Sequence, residues 1–413
     1  MTEQTLLIIG SVWPEPSSSA AGRRMMQLIS LFDRPPWTVT VASTTDDSPY
    51  CADLDSGGIR KKKISVNDSG FDQFVEQLQS DVVIFDRFIM EEQFGWRVAE
   101  ACPDAVRILD TEDLHCLRRR RKRAVKEGLD FSKDMLLEDD TARREVASIY
   151  RSDLALIISE YEMNLLRQLF GVDDSLLHYL PFLLPSITEK EIEGRLSFEE
   201  RQDFVTIGNF RHPPNWDAVQ YLKSTIWPLV RRELPEARLR IYGAYPSQKV
   251  WDLHRPAEGF HIEGRAEKAS EVVEKGRVLL APIRFGAGLK GKLVEAMQCG
   301  TPSVTTKVGA EGIAGDLPWS GAIAEDPWEI ATRAAALYTD QSRWEEAQKQ
   351  GQSIINKRFD KNKFSNIFKD RLQAIKRQWP EHRRNNFVGS MLRHHSNNST
   401  KYMSKWIEEK NRP

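Results

Sequence analysis

Three things are scarce in this sequence: paired cysteines, long apolar runs and an excess of charge of either sign. The four cysteines are widely separated and form no Cys-x-x-Cys pair; they are Cys51, Cys102, Cys116 and Cys299. This spacing argues against structural zinc and against a disulfide framework, and it favours reduced thiols. No stretch approaches the ~20 consecutive apolar residues of a membrane-spanning helix. The 59 basic and 60 acidic residues balance, so no bulk polyelectrolyte partner is indicated.

The beginning of the chain carries no recognisable secretory signal. Its first apolar run, Leu6–Ile9, ends at Gly10 and is too short for the apolar core of a signal peptide. Together with the reduced thiols, this predicts a cytoplasmic protein without a transmembrane segment. Peripheral contact with a membrane is left open.

What the sequence has instead is a regular alternation of short apolar runs with helical stretches. The predicted buried strands are Leu6–Ile9, Trp37–Ala42, Val82–Phe85, Arg107–Leu109 and Leu154–Ile158 in the first half, and Phe204–Ile207, Arg238–Tyr242, Phe260–Ile262, Val278–Pro282 and Ser303–Thr305 in the second. Such alternation is typical of a parallel sheet with helices on both faces. At 413 residues, the chain is expected to form two facing doubly wound α/β domains.

The domain boundaries are predicted from the same pattern. The first domain spans residues 1–185 and the second spans residues 198–355. A proline-containing, charged linker, Leu183–Ser197, joins them. Residues 383–413 form a basic, polar tail, and its segment Ser404–Asn411 has the spacing of a short amphipathic helix.

The most informative segment of the chain is Phe285–Gly312. It contains a glycine loop, two lysines and a carboxylate: Gly286, Gly288, Lys290, Lys292 and Glu295. Glycines before a helix allow close approach of a ligand, and the helix N-terminus offers free N–H groups to a phosphate. The lysines add full charges, and the carboxylate is spaced to accept hydrogen bonds from sugar hydroxyls. The alternative is an exposed Lys292–Glu295 ion pair on an ordinary amphipathic helix.

This segment, APIRFGAGLKGKLVEAMQCGTPSVTTKVGAEG, resembles the donor-site signature of the retaining glycosyltransferases of family four, the group 1 transferases. The segments LLIIGSVWPEPSSSAAGRRMMQLI and FVTIGNFRHPPNWDAV resemble the first strand and loop of that family's first and second domains. DTEDLHCLR (Asp110–Arg118) resembles an element found near the acceptor side in some members. The chain departs from the pattern at Ala287, where many members have a glutamate eight positions before the one equivalent to Glu295.

The resemblance implies the GT-B fold, in which two Rossmann-like domains face each other, and a helix over residues 361–380 that packs back on the first domain. It also implies transfer of a sugar from a nucleotide-diphosphate-sugar donor to an unidentified acceptor, with retention of configuration. The nucleotide sugar is then a co-substrate, and no cofactor is expected. Lys290 and Lys292 would hold the diphosphate, and Glu295 would hold the ribose. The chain lacks an obvious Asp-x-Asp element of the kind that metal-dependent transferases of the other major fold use, so we expect metal-independent transfer.

Two further loops are predicted to reach the cleft, since ligands of parallel α/β sheets bind at the carboxyl ends of strands. Gly22 ends a serine-rich loop after the first strand; the alternative is a surface loop with a serine helix cap. Arg211 follows the first strand of the second domain and is suited to a bidentate phosphate contact. The alternative there is a helix start capped by Asn215.

Asp113 and His115 directly follow another predicted strand. We interpret them, together with Lys290, as the catalytic residues, because a histidine at this position can bind a sugar hydroxyl or orient the acceptor. The alternative is a structural turn whose aspartates cap a helix that begins near Leu114.

Six consecutive basic residues, Arg118–Arg123, come next. They suggest an anionic acceptor, and the alternative is a solvated helix face balanced by Glu138–Asp140. Two other functions stay open from the sequence. One is a nucleotide-sugar epimerase or phosphorylase, which shares the fold, and the other is a catalytically idle protein that binds RNA or an anionic membrane surface.

Overall fold

Two parallel sheets facing each other across a cleft form the core of the protein. The structure is a computed structural model and describes residues 3–411. The strands of the first sheet are β1 (Gln4–Gly10), β2 (Trp37–Ser43), β3 (Arg60–Lys63), β4 (Val82–Asp86), β5 (Val106–Asp110), β6 (Leu154–Ile157) and β7 (Leu177–Tyr179). Those of the second are β8 (Gln202–Ile207), β9 (Leu239–Tyr242), β10 (Phe260–Gly264), β11 (Gly276–Ala281), β12 (Ser303–Thr305) and β13 (Gly321–Ile323).

Helices connect the strands and cover the sheets. The first domain has α1 (Ala20–Ile29), α2 (Gly70–Leu78), α3 (Phe88–Ala101), α4 (His115–Glu127), α5 (Asp140–Arg151) and α6 (Glu160–Gln168). Next come α7 (Glu189–Glu193), α8 (Pro213–Tyr221), α9 (Trp227–Glu233), α10 (Gln248–Trp251), α11 (Ala269–Lys275), α12 (Gly291–Gln298), α13 (Lys307–Ala310), α14 (Pro327–Thr339) and α15 (Gln341–Arg358). The chain continues with α16 (Lys361–Asn385), α17 (Phe387–Leu392) and α18 (Asn398–Lys410). Among the described residues, no helix is both long and apolar enough to cross a bilayer.

Both sheets are doubly wound. The strand order is β3-β2-β1-β4-β5-β6-β7 in the first sheet and β10-β9-β8-β11-β12-β13 in the second. The winding therefore reverses beside β1 and beside β8, and a crevice forms at the carboxyl ends of the strands at each reversal. Central strands are buried on both faces; Leu6 and Leu7 of β1 are fully buried although they point to opposite sides. The predicted fold class is confirmed.

The strands that sequence patterning missed are β3, β7 and β13, and each lies at the edge of its sheet. β3 has the sequence Arg-Lys-Lys-Lys, which carries no apolar run. Edge strands bury fewer side chains than central ones, and charged residues there protect the open edge from further pairing. The apolar signal that identified the central strands is therefore weakest where these strands occur.

The chain crosses between the domains twice, and the two crossings lie side by side. The N–H of Leu184 donates to the carbonyl of Phe359 at 2.8 Å, and the N–H of Lys361 donates to the carbonyl of Leu184 at 2.9 Å. The predicted linker also contains a short helix, α7, begun by a capping box between Thr188 and Glu191.

After the second crossing, α16 returns to the first domain. Its apolar residues pack in one cluster with β1 and α1; they are Phe364, Phe368, Leu372 and Ile375. The helix is interrupted at Gln378, which has non-helical torsion angles and lies two positions before Pro380. Beyond this kink, α17 and α18 lie against α5 and α3.

We predict that Phe368→Ala destabilises the protein by about 3–5 kcal/mol, because Phe368 is fully buried between α16 and the first domain. The neighbouring Ile367 is 46% exposed on the same helix, so Ile367→Ala should change stability by less than about 0.5 kcal/mol. Urea unfolding of both variants measures the difference. Equal losses would contradict the docking of α16 on the first domain.

Candidate active site

A cleft of about 520 Å³ opens between the two domains at the carboxyl ends of their strands. Its walls include every residue that the sequence singled out for the site: Gly22, Asp113, His115, Arg211, Gly286, Gly288, Lys290, Lys292 and Glu295. Segments that lie far apart in the sequence therefore meet in one place. What each residue contributes depends on its contacts.

On the side of the second domain, the glycine loop leads into α12. Lys290 occupies the N-cap position, and no side chain caps this helix, so its first N–H groups stay available to an anion. Nζ of Lys290 donates to the carbonyl of Gly288 at 3.0 Å. Burial lowers the pKa of Lys290 to about 8 and the pKa of Lys292 to about 7. Both lysines of the free protein therefore lose their proton more readily than a lysine in water, and an anionic ligand in the cleft would favour their ammonium forms.

Glu295 lies on α12 and is 7% exposed. Its Oε1 is 2.6 Å from Nη1 of Arg23 on α1, so the carboxylate pairs across the cleft and not with Lys292 on its own helix. The exposed ion pair considered from the sequence is therefore absent among the described residues. Arg23 was not predicted as a site residue, although it follows Gly22 directly.

On the side of the first domain, the turn between β5 and α4 carries Asp113 and His115. Burial alone would raise the pKa of Asp113, but the paired guanidinium of Arg118 and the nearby His115 bring it to about 2. Nε2 of His115 lies 3.6 Å from Oδ1 of Asp113. Burial lowers the pKa of His115 to about 4, so its ring is neutral at neutral pH. A neutral imidazole can accept or donate a hydrogen bond here.

Buried glutamates from other helices, and not the aspartates of the turn, hold the start of α4. Glu145 accepts the N–H groups of His115 at 2.7 Å and Cys116 at 2.8 Å. Oε1 of Glu162 accepts the N–H of Leu114 at 2.9 Å. The interpretation of this turn as a self-capped helix start is therefore wrong, because the capping carboxylates come from α5 and α6.

The same oxygen of Glu162 accepts a second N–H, that of Gly288 in the opposite domain, also at 2.9 Å. Burial raises the pKa of Glu162 to about 8. Gly288 has a φ of +60°, and a Cβ there would lie 2.9 Å from Cβ of Asp113. Only glycine permits this approach of the two domains.

The loop after β1 folds tightly over the start of α1. A Cβ at Gly22 would lie 2.4 Å from backbone atoms of Glu15, so this glycine is required by the loop itself. Ser19 caps α1 through the N–H of Gly22 at 3.0 Å. The serine cap considered from the sequence is present, and the loop nevertheless lines the cleft.

Residues from both domains meet at the rim of the cleft. The hydroxyl of Tyr245 donates to both carboxylate oxygens of Glu15, at 2.9 and 3.0 Å. The guanidinium of Arg211 lies 3.7 Å from the centroid of the Tyr245 ring. Arg265 donates to the hydroxyl of Ser17 at 3.1 Å. Arg211 is thus an exposed residue of this rim.

Asn215 does not cap α8; its amide donates to the carbonyl of Asn209 at 2.9 Å.

The basic run does not form one surface. Its arginines have the following partners: Arg118 with Asp113, Arg119 with Thr141, Arg120 with Asp139, Arg121 with Glu311 and Arg123 with Glu127. Arg121 reaches the second domain, where it contacts both oxygens of Glu311, at 2.8 and 2.7 Å, and the carbonyl of Gly286 at 2.9 Å. Arg118, Arg120 and Arg121 are therefore held in ion pairs within the fold, whereas Arg119, Lys122 and Arg123 are exposed.

Three cleft residues that sequence patterns did not identify lie at the carboxyl ends of β4 and β5: Asp86, the last residue of β4, and Arg87 and Glu112 in the loops that follow. Asp86 pairs with Arg87 at 2.8 Å. Oδ1 of Asp86, Oε1 of Glu112 and Nε2 of His115 are buried and have no hydrogen-bond partner among residues 3–411. Burial raises the pKa of Asp86 and brings that of Glu112 to about 8. Asp86 directly follows a predicted strand, and that position was the available signal.

The described residues offer no evident set of metal ligands. Within residues 3–411, no group of three or more His, Cys, Asp and Glu side chains is arranged to hold a metal ion.

Comparison with known proteins supports this description. Residues 201–340, from β8 to α14, match the family model described as "Glycosyl transferases group 1". HepE of Anabaena, solved in complex with UDP and glucose, has a TM-score of 0.65 and 14% identity, with 89% of this chain and 99% of that chain covered. Sucrose-phosphate synthase of Thermosynechococcus elongatus has a TM-score of 0.65 and 14% identity over 90% of this chain and 99% of its own. No curated protein sequence matches the chain.

The pneumococcal O-GlcNAc transferase GtfA, in complex with UDP and GlcNAc, is a more distant structural relative. Its TM-score is 0.56 at 17% identity, with 74% of this chain and 59% of that chain covered. Identities this low show the fold alone, and the fold is GT-B. The predicted fold class is confirmed, and the resemblance to group 1 transferases is supported by a family match within the second domain.

We predict that Glu162→Gln becomes more stable relative to the unchanged protein as pH rises from about 6 to about 9. The folded-state pKa of about 8 lies above that of an unfolded carboxyl. The proton therefore binds the folded form more tightly, and this contribution is lost as pH rises through 8. Glutamine keeps an oxygen for the two N–H groups and removes the titration. Urea unfolding at each pH measures the difference; a difference independent of pH would show that Glu162 stays ionised when folded.

Proposed function

We propose that the protein is a glycosyltransferase that moves a sugar from a nucleotide-diphosphate-sugar donor to an acceptor. The observation that carries this proposal is the pair of cleft lysines with lowered pKa beside the uncapped start of α12. The structure of HepE holds UDP and glucose, and that of GtfA holds UDP and GlcNAc. Residues 198–355 are proposed as the donor domain and residues 1–185 as the acceptor-side domain.

The lysines act on the leaving group in this proposal. As the bond from sugar to phosphate breaks, the diphosphate gains negative charge, and the lysines, held in their ammonium form by the bound donor, stabilise that charge more in the transition state than in the ground state. The free N–H groups of α12 contribute in the same direction. We propose that Lys290, Lys292 and this helix end take the place of a metal ion, and that transfer retains the anomeric configuration.

Glu295 is proposed to receive the ribose hydroxyls. Its ion pair with Arg23 holds the carboxylate in the cleft, and the close pairing at 2.6 Å links donor binding to a residue of the first domain. Arg211 at the rim is a further proposed contact of the diphosphate. It lies over Tyr245 in the free protein and would exchange that contact for phosphate oxygens.

The acceptor is proposed to be a hydroxyl-bearing molecule such as a saccharide. Asp86, Glu112 and His115 line the cleft, and each has one buried polar atom without a partner, which a hydroxyl group of the acceptor would satisfy. The arginines that suggested an anionic acceptor are mostly held in ion pairs within the fold. His115 and Asp113 are the proposed residues that orient the acceptor.

The deciding experiment offers the purified protein a panel of nucleotide sugars with saccharide acceptors, in the presence of excess chelator. We expect transfer of a sugar from one donor, and the chelator should not affect it.

Glu112→Met should reduce kcat/KM for the acceptor by about 10–100-fold, the equivalent of one lost hydrogen bond. UDP binding should not change in this variant. Glu127→Met, at the exposed end of α4, is the control. Donor turnover without an acceptor would favour an epimerase, and activity that requires a divalent cation would overturn the metal-independent mechanism.

A second prediction concerns the lysines. Lys290→Ala and Lys292→Ala should each weaken UDP binding by about 1–3 kcal/mol, the range for hydrogen bonds to charged groups. Because the pKa of Lys292 is about 7, it is largely neutral near pH 8, and binding of a diphosphate should take up a proton. Calorimetry in buffers of different ionisation enthalpy counts that proton. Lys307→Ala, an exposed residue outside the cleft, should bind as the unchanged protein does. Normal UDP affinity in both cleft variants would refute the assignment.

A further inference from the structure

The last helices of the described chain turn an apolar face towards solvent. Of the large apolar side chains exposed in the described residues, six lie on α17 and α18: Phe387, Val388, Met391, Tyr402, Met403 and Trp406. Phe387, Tyr402 and Trp406 are 69%, 68% and 58% exposed. Exposed apolar residues scattered singly are normal, but a cluster of this kind marks an interaction surface.

The orientation of these helices is fixed by their opposite side. Gly389 is buried and lies so close to α5 that a Cβ would stand 2.0 Å from the carbonyl of Tyr150. Ser404 is buried and accepts a hydrogen bond from Arg97 of α3 at 3.0 Å. Asn386 donates to the carbonyl of Tyr150 at 2.7 Å. Small and polar residues therefore face the protein, which is the reverse of an ordinary amphipathic surface helix.

The apolar residues share one outward stripe. Phe387 and Tyr402 each precede a buried residue, Gly389 or Ser404, by two positions, which places them about 200° around the helix from it. Met391 and Trp406 follow four positions after Phe387 and Tyr402, on the same face. The helical turn Arg393–Asn397 joins the two parts without a break in the helix.

Basic residues accompany the stripe. Arg384, Lys405 and Lys410 are exposed beside it, and Nζ of Lys410 lies 5.1 Å from the centroid of the Trp406 ring. The basic residues on the inner side are engaged by the body of the protein, as in Lys401 with Glu100. Of the two neighbouring carboxylates, Glu408 accepts the N–H of Ser69 at 3.0 Å and so faces inward, while Glu409 lies at the outer edge. The exposed side is therefore apolar, aromatic and net positive.

We propose that α17 and α18 form a docking surface for an anionic lipid membrane. Aromatic rings with a polar edge settle at the level of lipid headgroups, and flanking lysines are attracted to anionic lipids. A helix fixed along its inner side presents a convex ridge, and a soft planar surface can contact all six apolar residues at once. The proposal does not depend on the proposed transferase activity.

The test uses the full-length protein in flotation with vesicles of phosphatidylcholine alone and of phosphatidylcholine with phosphatidylglycerol. We expect binding to the anionic vesicles that weakens as salt is added. The triple variant Phe387→Ser, Tyr402→Ser, Trp406→Ser should lose at least about tenfold in vesicle affinity, because the inserted apolar area is removed. Lys405→Gln with Lys410→Gln should weaken binding only to the anionic vesicles.

The control is Trp251→Ser with Trp328→Ser, two exposed tryptophans of the second domain that are 40% and 52% exposed. These changes should leave vesicle binding unaltered. Failure of the unchanged protein to float with anionic vesicles, or equal flotation of the triple variant, would overturn the proposal. So would dimerisation in solution that the triple variant abolishes, because a second copy of the chain would then be the occupant of the surface.

Discussion

One carboxylate oxygen sets how closely the two domains approach. Oε1 of Glu162 accepts the N–H of Leu114 from the first domain and the N–H of Gly288 from the second. The acceptor-side turn and the glycine loop are thus held by the same atom. Arg121 reinforces the approach by joining α4 to Glu311. Backbone groups can be positioned in this way to a fraction of an ångström, which a cleft that must align two substrates requires. This oxygen therefore holds both the turn that leads to His115 and the glycine loop that leads to Lys290.

Burial in and beside this cleft moves the pKa values of several acids and bases towards each other. It raises the pKa of Glu112 and Glu162 to about 8 and lowers that of Lys292 to about 7. These side chains would be fully ionised in water at neutral pH, but here their pKa values lie close to neutral pH. An anionic ligand favours the ammonium form of the lysines, and hydroxyl groups satisfy carboxyl groups without requiring their charge.

Local patterns predicted the parts of this structure that local patterns control. Apolar runs identified the central strands, and the glycine loop with its lysines is a single stretch of sequence. Edge strands such as β3 lack that apolar signal because they bury little. The role of Glu162 was missed because a glutamate on a helix usually faces water. The partner of Arg121 in the basic run could not be predicted either, because Glu311 lies 190 positions away and no pattern along the chain gives that distance.

The paired crossings between the domains have a mechanical consequence. Leu184 is hydrogen-bonded to both Phe359 and Lys361. The two segments that connect the domains are therefore held side by side and form one short hinge. Two domains that are joined along one axis can rotate about it as a hinge, but sliding and twisting of one domain against the other are restricted. Rotation about this axis would separate contacts that span the cleft, such as Glu15 with Tyr245 and Glu162 with Gly288, and would leave the pairing at Leu184 in place. The two hydrogen bonds at Leu184 would then keep the crossings together while the cleft opens and closes.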